Sequence, residues 1–186
     1  MKIADITTVV RAKLISDVYK KWVKPKSSVL DIGCGTGIVA DELRKSLDIR
    51  VEGCDINSYL IRPIKFKVMN SVEKLDYRNN LFECSMLNDV LHHTDYDIQE
   101  KLLKEALRVS KTVLIFELLP TLSGKIADFI INKIHNPKMN IPYTYRTHNQ
   151  WKKLFKKQGY LCKTHEVRKP FWYPFSHIAF LVTHCR

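Results

Sequence analysis

The amino-acid sequence predicts an α/β fold, in which helices cover both faces of a mostly parallel β-sheet. Short apolar runs with the character of buried strands alternate along the chain with segments whose apolar residues recur at helical spacing. A glycine-rich turn joins the first run directly to a helix, as is typical of parallel strand–helix units. No helix is predicted between the last two runs, which indicates an antiparallel hairpin at the end of the chain.

The predicted elements follow the chain in a regular order. Apolar residues at helical spacing predict a first helix over residues 5–22, which ends before Pro25. Apolar segments predict buried strands at residues 29–32, 51–55, 64–69, 82–87 and 112–117. Helical spacing predicts further helices at residues 38–47 and 99–109.

The second half of the chain departs from this alternation. Prolines and a glycine surround an apolar helical piece at 126–134, which predicts a cap inserted at residues 120–150. A short helix and two final strands follow, at residues 151–158, 160–167 and 178–185. We therefore expect a single domain over residues 1–186, with an N-terminal helical segment at residues 1–24.

Composition narrows the possible locations and sites. The chain has 186 residues, and none of its apolar runs approaches the ~18 residues of a membrane span. The N-terminus lacks the apolar core of a signal peptide, and the five scattered cysteines form no C-x-x-C pair. We expect a cytoplasmic protein without a transmembrane segment, a disulfide framework or a metal site.

The net charge of +12 allows two interpretations. The chain has 22 lysines and 9 arginines, whereas specific phosphate recognition relies on the planar arginine fork. A solvated basic surface is the first interpretation. The second is a surface for an anionic partner, such as nucleic acid or anionic lipid.

The stretch "SSVLDIGCGTGIVADEL" carries the clearest functional signal. An apolar strand leads through Asp31 into a turn with Gly33, Gly35 and Gly37. This spacing departs from the G-x-G-x-x-G fingerprint of dinucleotide sites, and the carboxylate would repel a pyrophosphate. S-adenosylmethionine has no phosphate and carries a sulfonium and an amino group. It therefore suits the carboxylate, and a loop without side chains lets it approach closely.

Asp55 ends the next predicted strand and strengthens this interpretation. An acid at that position can accept hydrogen bonds from both ribose hydroxyls of an adenosyl ligand. The alternative is a turn or helix cap, because "DINS" could open a helix.

With these residues the sequence resembles the class I S-adenosylmethionine-dependent methyltransferases, in particular their broad small-molecule branch. The similar segments are "VLDIGCGTG", "GCDIN", "FECSMLNDVLHHTD", "ALRVSKTVLIFE" and "YRTHNQWKKLFKKQGY". The resemblance implies a Rossmann-like sheet of seven strands with a reversed C-terminal hairpin strand. It also implies S-adenosylmethionine as the cofactor and S-adenosylhomocysteine as the product.

The resemblance further implies which residues hold the cofactor. The glycine turn would hold the methionine part, Asp55 the ribose, and the residues after the second and third strands the adenine. Asn88 and Asp89 end the fourth strand, next to the sulfonium and the departing methyl group. The implied set is Asp31, Gly33, Cys34, Gly35, Gly37, Asp55, Ile56, Asn57, Asn70, Ser71 and Asn88.

Histidines are the candidate catalytic residues. His92 and His93 follow the fourth strand, and either could accept a proton from the acceptor, since an unperturbed histidine titrates near ~6.5. Because "LHH" recurs in the family regardless of the reaction, the alternative for this pair is a structural role. His148 is a further candidate. Arg146 beside it could bind an acidic group of the substrate or form a surface salt bridge.

The aromatic segment "PFWYPF" predicts an apolar substrate pocket, with Trp172 and Tyr173 as candidate contacts. The leading hypothesis is O- or N-methylation of a small-molecule or lipid-like acceptor. Methylation of RNA or protein is the alternative that the basic charge favours, although "NDVLHH" lacks the proline-containing signature of base amino methylases. A cofactor-binding subunit that needs a partner chain is the third hypothesis.

Overall fold

A computed structural model describes residues 3–135 and 141–185 of the chain. Its helices are α1 (Ile3–Tyr19), α2 (Ile38–Ser46), α3 (Tyr96–Val109), α4 (Leu122–His135) and α5 (His148–Lys157). Its strands are β1 (Ser28–Ile32), β2 (Arg50–Asp55), β3 (Lys65–Val68), β4 (Phe82–Asn88), β5 (Ser110–Leu118), β6 (Tyr160–Glu166) and β7 (His177–His184). A short 3-10 turn, Leu91–His93, follows β4.

The seven strands form one sheet in the order β3-β2-β1-β4-β5-β7-β6. The first five strands pair in parallel, and β7 runs antiparallel to both β5 and β6. This topology confirms the predicted mostly parallel sheet with a reversed C-terminal hairpin strand. The strand order reverses between β1 and β4, and ligands of open parallel sheets bind outside the carboxyl ends of the strands at such a reversal.

Helices cover both faces of the sheet because the strands bury apolar side chains on each face. In β1, Leu30 and Ile32 point to the face covered by α3 and α5, where Trp151 packs. Val29 points to the opposite face, where α1 and α2 pack and Leu43 is buried. Side chains alternate between the faces of a strand, so one short apolar run supplies two cores. Each large apolar side chain buried in this way contributes about 1.5–3 kcal/mol.

The observed elements differ from the predicted cap at its C-terminal end. α5 begins at His148, earlier than predicted, because Thr147 and Gln150 form a capping box. The Thr147 hydroxyl accepts a hydrogen bond from the Gln150 N–H, and the Gln150 side chain accepts one from the Thr147 N–H. His148 therefore belongs to α5 and not to the cap. Residues 136–140 of the predicted cap lie outside the described residues.

The N-terminal helix is present as α1 and ends at Tyr19, before the predicted end at residue 22. No helix within the two described ranges is long and apolar enough to cross a membrane. The five cysteines are unpaired, and Cys34, Cys54 and Cys84 are buried.

Candidate functional site

A cavity of about 580 Å³ opens at the carboxyl ends of the parallel strands, where the strand order reverses. α1 and α4 contribute side chains to its walls. Two parts of its lining are set apart, because three strands separate β2 from β7. We define the β2 side as residues 31–36 with Asp55 and Ile56, and the β7 side as Arg11, Asp89, His93, Asp128 and His177.

The glycine turn forms the wall of the β2 side, and its glycines have different roles. All three have positive φ, which side chains disfavour. A Cβ on Gly33 would lie 2.6 Å from Val90 Cγ2, so this glycine lets the loop after β4 pack closely. A Cβ on Gly35 would meet nothing within 4 Å. Since Gly35 lines the cavity, its missing side chain leaves space for a ligand against the backbone.

Asp55 links the glycine turn to the end of β2. Its carboxylate accepts hydrogen bonds from the N–H of Gly35 at 2.8 Å and of Ile56 at 2.7 Å. Burial raises the pKa of Asp55, while these N–H donors act to lower it. A carboxylate has about four lone-pair sites, so Asp55 can shape the turn and still accept hydroxyl groups of a ligand.

Asp31 is a buried carboxylate at the base of the turn. Its Oδ1 accepts a hydrogen bond from Asn88 Nδ2 at 3.2 Å, and Asn88 Oδ1 accepts one from the Tyr19 hydroxyl at 2.8 Å. Burial raises the pKa of Asp31 to about 7, with a further contribution from the charge of Asp55, while Asn88 and Arg11 act to lower it. A positively charged ligand group beside Asp31 would favour its ionised form. The turn, Asp31 and Asp55 together fit S-adenosylmethionine.

The cavity brings together part of the cofactor set expected from the sequence. Asp31, Gly33, Cys34, Gly35, Asp55, Ile56 and Asn88 line it. Gly37 lies behind the turn, where it caps α2. The remaining three residues, Asn57, Asn70 and Ser71, make hydrogen bonds to Tyr59, Asp76 and Glu73.

Three cavity-lining residues that lie close in the chain to Asn57, Asn70 and Ser71 were not identified from the sequence. They are Tyr59, Met69 and Val72. Met69 and Val72 flank Asn70 and Ser71. Because an adenine pocket requires apolar surface, the apolar neighbours of Asn70 and Ser71 could have been predicted as adenine contacts.

His92 is fully buried between two carboxylates. Its Nδ1 lies 2.7 Å from Glu117 Oε2, and its Nε2 lies 3.6 Å from Asp128 Oδ2. Burial acts to lower the pKa of His92, but the two carboxylates outweigh it and raise the pKa to about 10. The imidazole is therefore already protonated at neutral pH, which removes His92 as a proton acceptor. It joins β5 to α4, and its ring stacks on Tyr145.

His93 also lines the cavity, with its ring centroid 4.3 Å from that of His92. Burial and the positive charge of His92 lower the pKa of His93 to about 3. His93 is therefore neutral at physiological pH and only weakly basic. His92, His93 and Asp128 also lie close enough to share a metal ion.

The β7 side contains a second ion-paired group that the sequence did not indicate. Asp89 Oδ2 lies 3.2 Å from both Arg11 Nη1 and His177 Nε2. Burial acts to raise the pKa of Asp89, but His177 and Arg11 hold it well below its usual range. The three residues come from the loop after β4, from α1 and from β7. No local motif could have joined them.

The other expected site residues are divided between the cavity and the surface. Tyr173 is buried and lines the cavity, whereas the half-exposed Trp172 does not. The His148 ring faces that of Phe180 under α5, outside the cavity lining. Arg146 also lies outside it: its Nε donates to Gln99 Oε1 at 2.7 Å, and its guanidinium stacks over Tyr96.

Similar solved structures share this arrangement of strands. One is magnesium protoporphyrin IX methyltransferase from Synechocystis PCC 6803 with bound SAH, with 15% identity, a TM-score of 0.68, and coverage of 98% of this chain and 88% of that one. Another is 1,6-didemethyltoxoflavin-N1-methyltransferase from Burkholderia thailandensis, with 15% identity, a TM-score of 0.70, and coverage of 94% and 79%. That protein was crystallised with 1,6-didemethyltoxoflavin and S-adenosylhomocysteine.

A curated relative matches a shorter region. Ribosomal protein L11 methyltransferase of Caldicellulosiruptor bescii is 24% identical over 112 residues, which cover 54% of this chain and 37% of that protein. The chain thus matches little more than a third of the length of this relative. A family model described as a methyltransferase domain matches residues 10–174. The chain therefore belongs to this methyltransferase-domain family.

Proposed function

We propose that this enzyme methylates an oxygen or nitrogen atom of a small or lipid-like molecule whose polar groups bind on the β7 side. The observation that supports the proposal is a set of buried polar atoms without hydrogen-bond partners. Four of the six such side-chain atoms in the described residues belong to residues that line the cavity: Arg11 Nε, Asp89 Oδ1, His177 Nδ1 and His92 Nε2, the last of which faces Asp128 at 3.6 Å. Because buried polar atoms are rarely left unpaired, the atoms of Arg11, Asp89 and His177 indicate a ligand with donors and acceptors of its own.

The β2 side would hold S-adenosylmethionine, with Asp31 beside its amino group and Asp55 accepting its ribose hydroxyls. The cofactor supplies a methyl group that its sulfonium makes electrophilic. The residues of the protein mainly have to position the acceptor and to exclude water from the reaction. α1 and α4 contribute to both by forming walls of the cavity.

His177 is the residue that we assign to accept a proton from the acceptor. Its Nε2 faces the Asp89 carboxylate at 3.2 Å, which favours the tautomer with the proton on Nε2. The lone pair of Nδ1 is then free to take the proton of a hydroxyl or amine. The ring is held by stacking on Phe116, with centroids 4.4 Å apart, so its orientation is fixed before a ligand arrives.

The test is transfer of labelled methyl from S-adenosylmethionine to small-molecule and lipid fractions of an extract. His177→Gln should reduce the labelled product by ~10²–10⁴-fold and leave cofactor affinity unchanged. The exposed His184, changed to Gln, is the matched control and should stay active. Full activity of His177→Gln would remove His177 from this role.

Methylation of RNA or protein is the second candidate, favoured by the net charge of +12. The four lysines of α5, at positions 152, 153, 156 and 157, are exposed, and none of them lines the cavity. This separation supports the small-molecule proposal. Label appearing in RNA or protein fractions instead, with RNA binding that weakens steeply with salt, would establish the alternative.

We also propose that residues 1–186 act as one domain, because the seven strands form one sheet. We further propose that the protein works in the cytoplasm, because all five cysteines are unpaired thiols. A labelled acceptor found only in the presence of a second, co-purified chain would instead support the hypothesis of a partner-dependent subunit.

A further inference from the structure

The outer face of α4 is apolar and exposed. Leu122 and Ile134, near its two ends, are 76% and 72% exposed, and Ile126, Phe129 and Ile130 between them are about half exposed. Their spacing places them on one face of the helix. The opposite face carries Asp128, Ile131 and Asn132 and lines the cavity.

Two further exposed aromatic residues lie in the connection that Ser123 joins to the start of α4. Phe171 is 98% exposed and Trp172 is 52% exposed, in the connection between β6 and β7. The Ser123 hydroxyl at the start of α4 donates a hydrogen bond to the carbonyl of Pro174, which holds this connection against the helix. We call the exposed apolar residues of α4 together with Phe171 and Trp172 the α4 patch.

The exposed charged residues of α4 and of residues 167–176 are all cationic. Lys125 and Lys133 on α4, and Arg168 and Lys169 beside Phe171, are all exposed. The single acidic residue of α4 is Asp128, which pairs with His92, and residues 167–176 contain none. An exposed apolar helical face that also carries lysines, with exposed Trp and Phe nearby in the chain fold, is typical of helices that lie in the membrane interface. Proteins that remain monomeric in water rarely expose a contiguous apolar patch of this kind.

We propose that the α4 patch docks this protein on an anionic membrane surface. Its apolar side chains enter the boundary between headgroups and acyl chains, and its four cationic side chains lie among anionic headgroups. The helix lies flat on the surface. Charge complementarity favours this occupant over a second copy of the chain, because two copies would bring cations to face cations.

Docking has a consequence for the cavity. The membrane would lie against the outer face of α4, whose inner face lines the β7 side. If the proposed function holds, a lipid-like acceptor could pass from the interface into the cavity without crossing water. Docking itself does not depend on that function, since it involves only outward-facing side chains.

The experiment is co-sedimentation of the full chain with vesicles, without cofactor or acceptor. The wild type should bind phosphatidylcholine vesicles that contain about 30% phosphatidylserine, less so at high salt, and bind pure phosphatidylcholine poorly. The double variant Ile126→Glu, Phe129→Glu should lose binding. Leu161→Glu is the matched control, because Leu161 on β6 is an exposed apolar residue outside the patch.

Circular dichroism shows whether the double variant is folded, and Lys125→Gln, Lys169→Gln tests the charge contribution separately. That second pair should weaken binding to anionic vesicles and leave the fold intact. Wild-type protein that remains in the supernatant would overturn the proposal, as would a double variant that is folded and still binds. A wild-type dimer that ignores vesicles and that the double variant abolishes would assign the patch to a second copy. All of these outcomes are independent of methyl transfer, so they leave the proposed function to its own test.

Discussion

The two sides of the cavity use charge in opposite ways. On the β2 side, no cation of the described residues forms an ion pair with the buried Asp31 or Asp55, and burial raises the pKa of both. On the β7 side, the Arg11 guanidinium faces Asp89 and the protonated His92 faces Asp128, and each cation acts to lower the pKa of its carboxylate. The carboxylates of the β2 side therefore depend on a ligand for positive charge, whereas those of the β7 side are neutralised by cations of the protein itself. Variants on the β2 side should change ligand affinity, and variants in the β7-side networks should change stability or turnover.

The largest expected effect is on the β2 side. Gly35→Val should abolish cofactor binding as measured by calorimetry, because the valine side chain would occupy the space that glycine leaves open for the ligand. Gly159→Val is the matched control: Gly159 also has positive φ and open space around its Cβ position, but it lies outside the cavity lining. Both variants carry the same backbone strain. If the two lost affinity equally, strain and not ligand space would be the cause.

The next effect is on stability, through the ion pairs of His92. His92→Ala leaves the buried Glu117 and the half-buried Asp128 without their shared cation, and should lower the free energy of unfolding by about 3–5 kcal/mol. The folded pKa of His92 lies above its unfolded value. Its stabilisation is therefore complete below an unfolded pKa of ~6.5 and disappears as the pH rises through about 10.

Urea titrations of the wild type and of His92→Ala at several pH values measure this difference directly. The exposed His184, changed to Ala, provides the control at a histidine outside this network of ion pairs. A gap between wild type and His92→Ala that stays constant up to pH values well above 10 would contradict a charged His92.

A smaller effect should appear in the pH dependence of cofactor affinity. The pKa of Asp31 is about 7 in the free protein, and the ionised form is the one that binds a cationic group. Affinity should therefore be highest above this pKa and should fall by up to ~100-fold between pH 8 and pH 5 as Asp31 takes up a proton. Calorimetry in buffers of different ionisation enthalpy would detect the proton release on binding near pH 6. Asp31→Asn should bind weakly with a flat profile, and an equally steep profile in that variant would assign the titration elsewhere.

The smallest effect concerns His93. The sequence suggested that a histidine after β4 accepts the acceptor's proton with an ordinary pKa. The structure instead gives His93 a pKa of about 3, so no ionisation of His93 falls between pH 5 and pH 8. His93→Gln should then reduce turnover far less than the ~10²–10⁴-fold loss of a general base. A loss of that size, with the neutral limb of the pH–rate profile removed, would restore His93 as the base.

The sequence predicted the fold and the β2 side because both are encoded locally. The strand that ends at Ile32, the turn and α2 are consecutive, and a carboxylate among glycines has few physical interpretations. The β7 side joins Arg11, Asp89 and His177, which are far apart in the chain. Their contact requires the strand order, and in particular the position of the reversed strand β7 beside β5. His148 was assigned to the wrong element because the capping box at Thr147 was overlooked.

The hydrogen-bonded path from α1 to the glycine turn gives this protein an intrinsic optical reporter. Tyr19 donates to Asn88, and Asn88 donates to Asp31. The ring of Trp22 lies 6.3 Å from that of Tyr19, so the indole is near one end of a path whose other end is the carboxylate expected to meet the cofactor. Emission from Trp22 should therefore respond when Asp31 changes its charge or its partner. In a protein whose other two tryptophans are replaced, the colour and intensity of that emission would follow cofactor occupancy in real time, without a label.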